Sequence, residues 1–189
     1  MTMNKFPYVI IPFLSVLLLA AQPSFCATPL VPSAISIGQD GSGHLTFEGI
    51  EINGTIEQVM TAFRKQLKFK PSGASINDPV MKGKFGNDKV TVLFGTPPGM
   101  DLVYVMMLQY QKSDSFTGMQ TRYENVRLKL TSLYGEPETS NETDPMHCLT
   151  VFLCPEGQVT LTTSEDNVVR IFFQDEKNAQ LAKQASSNP

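Results

Sequence analysis

The sequence has few of the residues that usually carry enzyme chemistry. Its 189 residues include two histidines, His44 and His147. His147 lies beside Cys148, but adjacent side chains on a strand point to opposite faces, so the pair is not expected to form a thiol nucleophile with its base. No serine lies in a Gly-x-Ser-x-Gly elbow. Gly41-Ser42-Gly43 has no strand before it and no helix directly after it, so it is not a phosphate loop.

The carboxylates also lack a pattern that suggests catalysis. They occur at turns and strand ends, where solvated acids are normal, and none forms an evident paired-carboxylate site. We therefore predict no catalytic residue, no cofactor and no metal site.

Cysteine is scarce as well, with three residues in the chain. Cys148 and Cys154 are six residues apart, which is about 20 Å along one strand. A disulfide needs Cα atoms within about 7 Å, and structural zinc sites use pairs spaced by two to four residues. Both residues are therefore expected to be buried or half-buried thiols.

The chain has no excess of positive charge. It carries 15 basic and 18 acidic residues, a formal net charge of −3. A mildly acidic chain with dispersed lysines lacks the basic footprint of a nucleic-acid-binding protein, so DNA and RNA are excluded as expected partners.

Its one long apolar run, Val9 to Ala21, has thirteen residues. A membrane-spanning helix needs about 20, whereas a positive residue (Lys5), a short apolar core and small residues are typical of a secretory signal. We predict a signal peptide over residues 1–26, with cleavage after Ala21 as the alternative, and a periplasmic or secreted product. Cys26 is alternatively the lipidated first residue of a membrane-anchored lipoprotein, although the bulky Phe25 before it does not suit lipidation.

Removing residues 1–26 leaves 163, enough for one domain with a core. Residues 27–44 are rich in Pro, Ser and Gly and are predicted to form a flexible tether. A single domain is expected over residues 45–175. Residues 176–189 are expected to form a C-terminal tail with a turn or two of helix.

The same order of elements occurs twice in this domain, at 55–110 and 115–175: one amphipathic helix and then three strands. Thr55 with Gln58 predicts a capping box at the start of the first helix. Asp114 or Ser115 begins the second, and Gly135 before Pro137 ends it. The predicted strands are residues 80–85, 90–94, 102–110, 148–153, 159–163 and 168–174. This order predicts an α+β fold in which two tandem helix-then-three-strand units form antiparallel sheet with both helices on one face.

Alternation along the last strand assigns Val169, Ile171 and Phe173 to the helix side. An offset of 66 residues between the two units then places Val103, Val105 and Met107 in the core. The opposite, outer face becomes unusually apolar and has a rim of Thr, Lys and Arg. The same alternation places on it Lys82, Lys84, Thr91, Leu93, Thr150, Thr160 and Thr162. The candidate partner-binding residues on this face are Tyr104, Met106, Leu108, Tyr110, Phe152, Arg170 and Phe172.

An exposed patch of aromatic residues and methionine is typical of an interaction site. The alternatives are that a loop, the tether or the tail covers the patch, or that a central strand is buried on both faces.

Several segments resemble small exported proteins of unknown function from anaerobic gut bacteria: Phe47 to Thr55, Lys82 to Phe85, Asp101 to Tyr104, and Leu133 to Pro137. More distantly, two tandem helix-plus-sheet units resemble the β-lactamase-inhibitor-protein fold, which is shared with small envelope lipoproteins. That resemblance implies a protein-binding module.

Together these observations predict an exported, non-enzymatic binding module of the bacterial cell envelope, which contacts a protein or an apolar ligand through the outer sheet face. One alternative is an envelope hydrolase, or an accessory to one, that uses the scattered carboxylates. Another is a structural homodimer with the patch buried against its copy.

Overall fold

The computed structural model describes residues 43–72, 79–144 and 146–187. The predicted signal peptide, the lipidation of Cys26 and the tether up to residue 42 lie outside these ranges. None of the helices in the described ranges is both long enough and apolar enough to cross a bilayer.

The described chain opens with a short hairpin that leads into the first helix. Strands β1 (Thr46–Phe47) and β2 (Ile50–Glu51) pair through a turn in which Glu48 and Gly49 have φ angles of 51° and 75°. Helix α1 (Ile56–Leu67) follows. Thr55 Oγ1 accepts a hydrogen bond from the Gln58 amide at 3.2 Å, and Gln58 Oε1 accepts one from the Thr55 amide at 2.9 Å. The predicted capping box is confirmed.

The remaining elements are β3 (Lys70–Pro71), β4 (Val80–Phe85), β5 (Asp88–Gly95), β6 (Val105–Tyr110), α2 (Phe116–Tyr134), β7 (Thr139–Asn141), β8 (Leu149–Cys154), β9 (Gly157–Ser164), β10 (Val168–Asp175) and α3 (Glu176–Ser187). Ser115 caps α2 by accepting from the Gly118 amide at 3.1 Å, and Gly135 ends that helix with a φ of 83°, as predicted. Strands β3 and β7 were missed because two or three residues are too few to show alternation.

Strands β3 to β10 form one antiparallel sheet in the order β3-β4-β5-β6-β10-β9-β8-β7. The α+β class with an antiparallel sheet is confirmed. Along the chain, α1 precedes β3–β6 and α2 precedes β7–β10. The last strands of these two sets, β6 and β10, pair with each other at the centre of the sheet.

The inner face of this sheet packs against the hairpin, α1 and α2. Phe63 of α1 is fully buried and contacts three rings, with centroid distances of 5.7 Å to Phe47, 5.6 Å to Phe69 and 5.1 Å to Phe94. Helix α2 contributes Met119, Tyr123, Val126 and Leu130 to the same core. Val169, Ile171 and Phe173 of β10 are buried there, as their alternation predicted.

The face prediction was wrong for the matching strand β6. Met106, Leu108 and Tyr110 are buried on the inner face, while Val105 and Met107 lie on the outer face and are half-buried. The register explains this, because Met106 lies opposite the buried Phe173. An offset of 66 has the wrong parity, and a shift of one residue moves every side chain of a strand to the other face.

The same error affected β8. Thr150 and Phe152 were expected on the outer face, but both are buried on the inner face. The Thr150 hydroxyl shares a hydrogen bond of 2.6 Å with the Tyr123 hydroxyl of α2, and the Phe152 ring lies 6.2 Å from that of Tyr134. The outward residues of β8 are Leu149, Val151 and Leu153, which face outward because they pair with Thr162, Thr160 and Gln158 of β9.

The end of β10 is attached to the start of the described chain through a buried polar cluster. Asp175 is fully buried and accepts from the amides of Leu45 at 2.7 Å and Asn178 at 2.9 Å, with His44 Nδ1 at 3.1 Å. The Asn178 side-chain amide donates to the carbonyls of Ile52 and Val103. His44, expected in the tether, thus contacts the folded domain, and α3 is longer than the expected turn or two.

Candidate interaction site on the outer face of the sheet

The outer face carries a row of apolar side chains that crosses the middle of the sheet. Leu93 of β5, Met107 of β6 and Phe172 of β10 are consecutive cross-strand partners, and each is half-buried. The register extends this row to Val80 on one side and to Thr160 and Val151 on the other. We call these six residues the apolar row, although one member, Thr160, carries a hydroxyl, which accepts a hydrogen bond from Gln158 Nε2 at 2.8 Å. Since directly paired side chains lie about 4.5–5.5 Å apart, its members form one continuous strip.

Arg170, a predicted site residue, lies on the same face two residues before Phe172. Its Nε donates to Gln109 Oε1 at 3.0 Å and its Nη1 donates to Ser164 Oγ at 2.6 Å. Its Nη2 lies 3.5 Å from Asp166 Oδ2. These contacts hold the guanidinium beside the apolar row.

Tyr104, another predicted site residue, lies away from this row. It precedes β6 and, with Pro97, Pro98 and Gln174, lines a cavity of about 410 Å³ that α3 borders. The predicted site therefore divides into three groups. Arg170 and Phe172 lie on the outer face, Tyr104 lies at its α3 end, and Met106, Leu108, Tyr110 and Phe152 lie in the core.

Four lysines occupy one end of the outer face. Lys70 of β3 lies directly opposite Lys82 of β4, and Lys84 of β4 lies directly opposite Lys89 of β5. All four are exposed, and within the described ranges none of them forms an ion pair. We call Lys70, Lys82, Lys84 and Lys89 the lysine cluster. Sequence reasoning placed Lys82 and Lys84 on this face but missed their partners, which depend on the strand register.

A groove of about 400 Å³ joins the lysine cluster to the rest of the outer face. Lys82, Lys89, Thr91, Gln109 and Lys112 contribute to its lining. Thr91 and Gln109 are cross-strand partners, and each is two residues from a member of the apolar row on its own strand. Lys82 is two residues from Val80 on β4, and Lys89 is four residues from Leu93 on β5, so cationic and apolar contacts are about 7 Å and about 13 Å apart along these strands.

A second cavity, of about 490 Å³, lies beside α2 and is lined by Tyr123, Glu124, Glu142, Cys148 and Thr163 among others. Burial raises the pKa of Tyr123 to about 12. Burial likewise raises the pKa of the Cys148 thiol above its ordinary value, so the thiol stays protonated at neutral pH. Glu124 accepts from Arg127 Nη2 at 2.9 Å. These groups provide no activated nucleophile.

His147, the residue before Cys148, is exposed and faces two carboxylates. Its Nδ1 is 2.6 Å from Asp144 Oδ2, and its Nε2 is 3.4 Å from Glu165 Oε1. The hydrogen bond with Asp144 raises the pKa of His147. Both ring nitrogens therefore point to acids rather than to the neighbouring Cys148, whose thiol donates to the Asp144 carbonyl at 3.6 Å.

Within the described ranges, no three histidine, cysteine or acidic side chains come together as a metal site would require. No disulfide joins Cys148 to Cys154. The Cys154 thiol instead donates to the Gly157 carbonyl at 3.2 Å.

We compared the chain with protein-family models, curated proteins and solved structures. No family model matches it, and no curated protein matches it. Among solved structures it is similar to a DUF4309 family protein (YjgB) from Bacillus subtilis, with 13% sequence identity and a TM-score of 0.40. That match covers 71% of this chain and 88% of the other.

Proposed function

We propose that this chain is an exported, non-enzymatic binding module whose contact surface is the apolar row on the outer face of the sheet. The observation that carries the proposal is the alignment of Leu93, Met107 and Phe172 across three adjacent strands, on the face opposite α1 and α2. Each member of the row is half-buried, so part of every side chain remains accessible. Contiguous accessible apolar strips typically mark interaction sites, and Met and Phe are enriched at the centres of interfaces.

The polar surroundings of the row support this proposal. Arg170, Gln109, Thr91 and the lysine cluster lie along one side of it, so the face has an apolar centre and a polar margin. Protein interfaces are typically organised in this way. A catalytic role has less support, because the Cys148 thiol is protonated and both nitrogens of His147 face carboxylates.

Export and location in the cell envelope rest on the N-terminal sequence. Lys5 followed by the apolar run from Val9 to Ala21 is typical of a secretory signal, and lipidation of Cys26 is the alternative that would keep the domain at a membrane. The proposal also treats α1 with β3–β6 and α2 with β7–β10 as two tandem units. The repeated element order and the central β6–β10 pairing support this.

Site-specific photo-cross-linking tests the proposal. A benzophenone amino acid replaces Phe172 in one variant and Leu128 in another, because Leu128 is a 59% exposed apolar residue on α2, away from the outer face. In cells that produce the protein, we expect cross-links to a discrete partner from position 172 and none from position 128. The purified partner is then expected to bind the chain, and Phe172→Ala is expected to weaken that binding.

Two results would count against the proposal. Equal cross-linking from both positions would mean that the outer face has no special role. Cross-linking of position 172 to a second copy of this chain, together with a dimer mass in solution, would instead favour the structural homodimer.

A further inference from the structure

We propose that the outer face recognises an acidic polypeptide segment that carries aromatic or aliphatic side chains, with its carboxylates on the lysine cluster and its apolar groups on the apolar row. This inference rests on the proposed function and specifies the chemistry of the partner.

The charge distribution is the first argument. The chain as a whole is acidic, with 18 acidic and 15 basic residues. Nevertheless the strand residues on the outer face of β3, β4 and β5 include four lysines and no carboxylate. The one acid among the residues that line the groove, Asp166, already interacts with Arg170 and Lys112. This end of the face is therefore complementary to negative charge.

The placement of like charges is the second argument. Lys70 opposes Lys82 and Lys84 opposes Lys89, and like charges directly opposite each other destabilise a sheet. Lysines on an edge strand often prevent edge-to-edge aggregation, which accounts for Lys70 and for the lysines of β4 beside the two-residue β3. That reason does not extend to Lys89, because β5 is flanked by β4 on one side and β6 on the other. Lys89 instead lines the groove together with Lys82 and Lys112.

The shape of the surface favours a polypeptide over a lipid bilayer. Lys82 and Lys89 of the lysine cluster, with Lys112, line a groove of about 400 Å³, and the apolar row lies in the half-buried middle of the sheet rather than on a protruding loop. An extended segment fits both features, because side chains spaced along it reach both Lys82 and Val80, about 7 Å apart, and Lys89 and Leu93, about 13 Å apart. The chain's own residues 27–42 contain one charged residue, Asp40, so they lack the charge that this surface complements.

The test measures binding of a fluorescently labelled random copolymer of glutamate and tyrosine to the purified domain by fluorescence anisotropy. Polyglutamate, polylysine and phosphatidylglycerol vesicles are the comparison probes. We expect the copolymer to bind best, polyglutamate less well and polylysine not at all, with affinity that falls as salt rises.

Matched variants locate the binding. Lys82→Gln with Lys89→Gln removes two charges from the outer face, and Arg64→Gln with Lys65→Gln removes two exposed charges from α1. We expect the first pair to weaken copolymer binding roughly tenfold, as the loss of two ion pairs predicts, and the second pair to leave it unchanged. Met107→Ala with Phe172→Ala is expected to weaken binding of the copolymer more than binding of polyglutamate. Thermal melting of each variant verifies that it is folded.

Three results would overturn the inference: no binding of the copolymer, equal losses in the two charge variants, or preferential binding of the vesicles. The inference can also fail while the proposed function holds. If a partner found by cross-linking at position 172 binds normally to the Lys82→Gln, Lys89→Gln variant, the outer face is the contact surface but its partner is not acidic.

Discussion

Two methionine–phenylalanine pairs, one residue apart, lie on opposite faces of the same two strands. Met106 and Phe173 are cross-strand partners on the inner face, where they are 0% and 2% exposed. Met107 and Phe172 are cross-strand partners on the outer face, where both are half-buried. The chemistry of the two pairs is the same, so their different environments show that the face, not the residue type, determines their role. The inner pair stabilises the fold, and the outer pair belongs to the surface that we propose as the contact surface.

The largest expected difference between the two faces is in stability. Phe173→Ala removes a buried ring that packs 5.4 Å from Phe47 and should lower the free energy of unfolding by about 3–5 kcal/mol. Phe172→Ala, its matched control, removes a half-buried ring from the outer face and should cost less than about 1 kcal/mol. Urea denaturation measures both values. Equal losses would mean that the outer face is also covered.

The next effect concerns the hydroxyl of Tyr123, which is buried on the inner side of the sheet against Thr150. Tyr123→Phe removes their hydrogen bond of 2.6 Å and should lower stability at neutral pH by about 1–2 kcal/mol. The matched outer-face change, Thr160→Val, should cost less than about 0.5 kcal/mol.

The same tyrosine predicts sensitivity to alkali. Burial raises the pKa of Tyr123 from 10.0 to about 12, and burial also raises those of Tyr110 and Tyr134. The folded state holds these protons more tightly than the unfolded state, so their contribution is complete below pH 10.0 and is lost as pH rises towards 12. Urea midpoints measured across this range should fall, and they should fall less in Tyr123→Phe. A midpoint independent of pH would contradict the buried position of these rings.

The two methionine–phenylalanine pairs also show which parts of the structure can be predicted from the sequence. The α+β class, the Thr55 cap, the glycine stop at Gly135 and the inner face of β10 were all predictable, because each depends on a local pattern. The faces of β6 were not, since Val105 to Leu108 is apolar at every position and so its alternation carries no information. Its face depends on the register with β10, which is a long-range property.

The candidate site divides in the same way. Arg170 and Phe172 were placed correctly because β10 alternates clearly, and Lys82 and Lys84 because β4 does. Met107 was missed because it lies in the uniformly apolar part of β6. Lys89 was missed because its position opposite Lys84 depends on the register between β4 and β5.

The smallest expected effect on stability is a gain. Lys89→Glu turns the like-charged pair with Lys84 into an opposite-charged pair and should raise the free energy of unfolding by about 0.2–1 kcal/mol. Lys65→Glu on α1 is the control and should give no gain, since it adds a negative charge near the C-terminus of a helix. If Lys89 serves binding, the stabilised variant should also bind the acidic copolymer more weakly. A gain in stability with unchanged binding would assign these lysines to some other role.

The most direct test of the outer face as a contact surface is residue-resolved methionine oxidation by hydrogen peroxide. Fragmentation mass spectrometry distinguishes Met106 from Met107 within one peptide. The oxidation rates of both residues are measured with and without the glutamate–tyrosine copolymer. We predict that Met107 is oxidised much faster than the fully buried Met106 in the protein alone, and that the copolymer slows oxidation of Met107 only. Equal rates in the protein alone, or a Met107 rate that the copolymer leaves unchanged, would contradict the account.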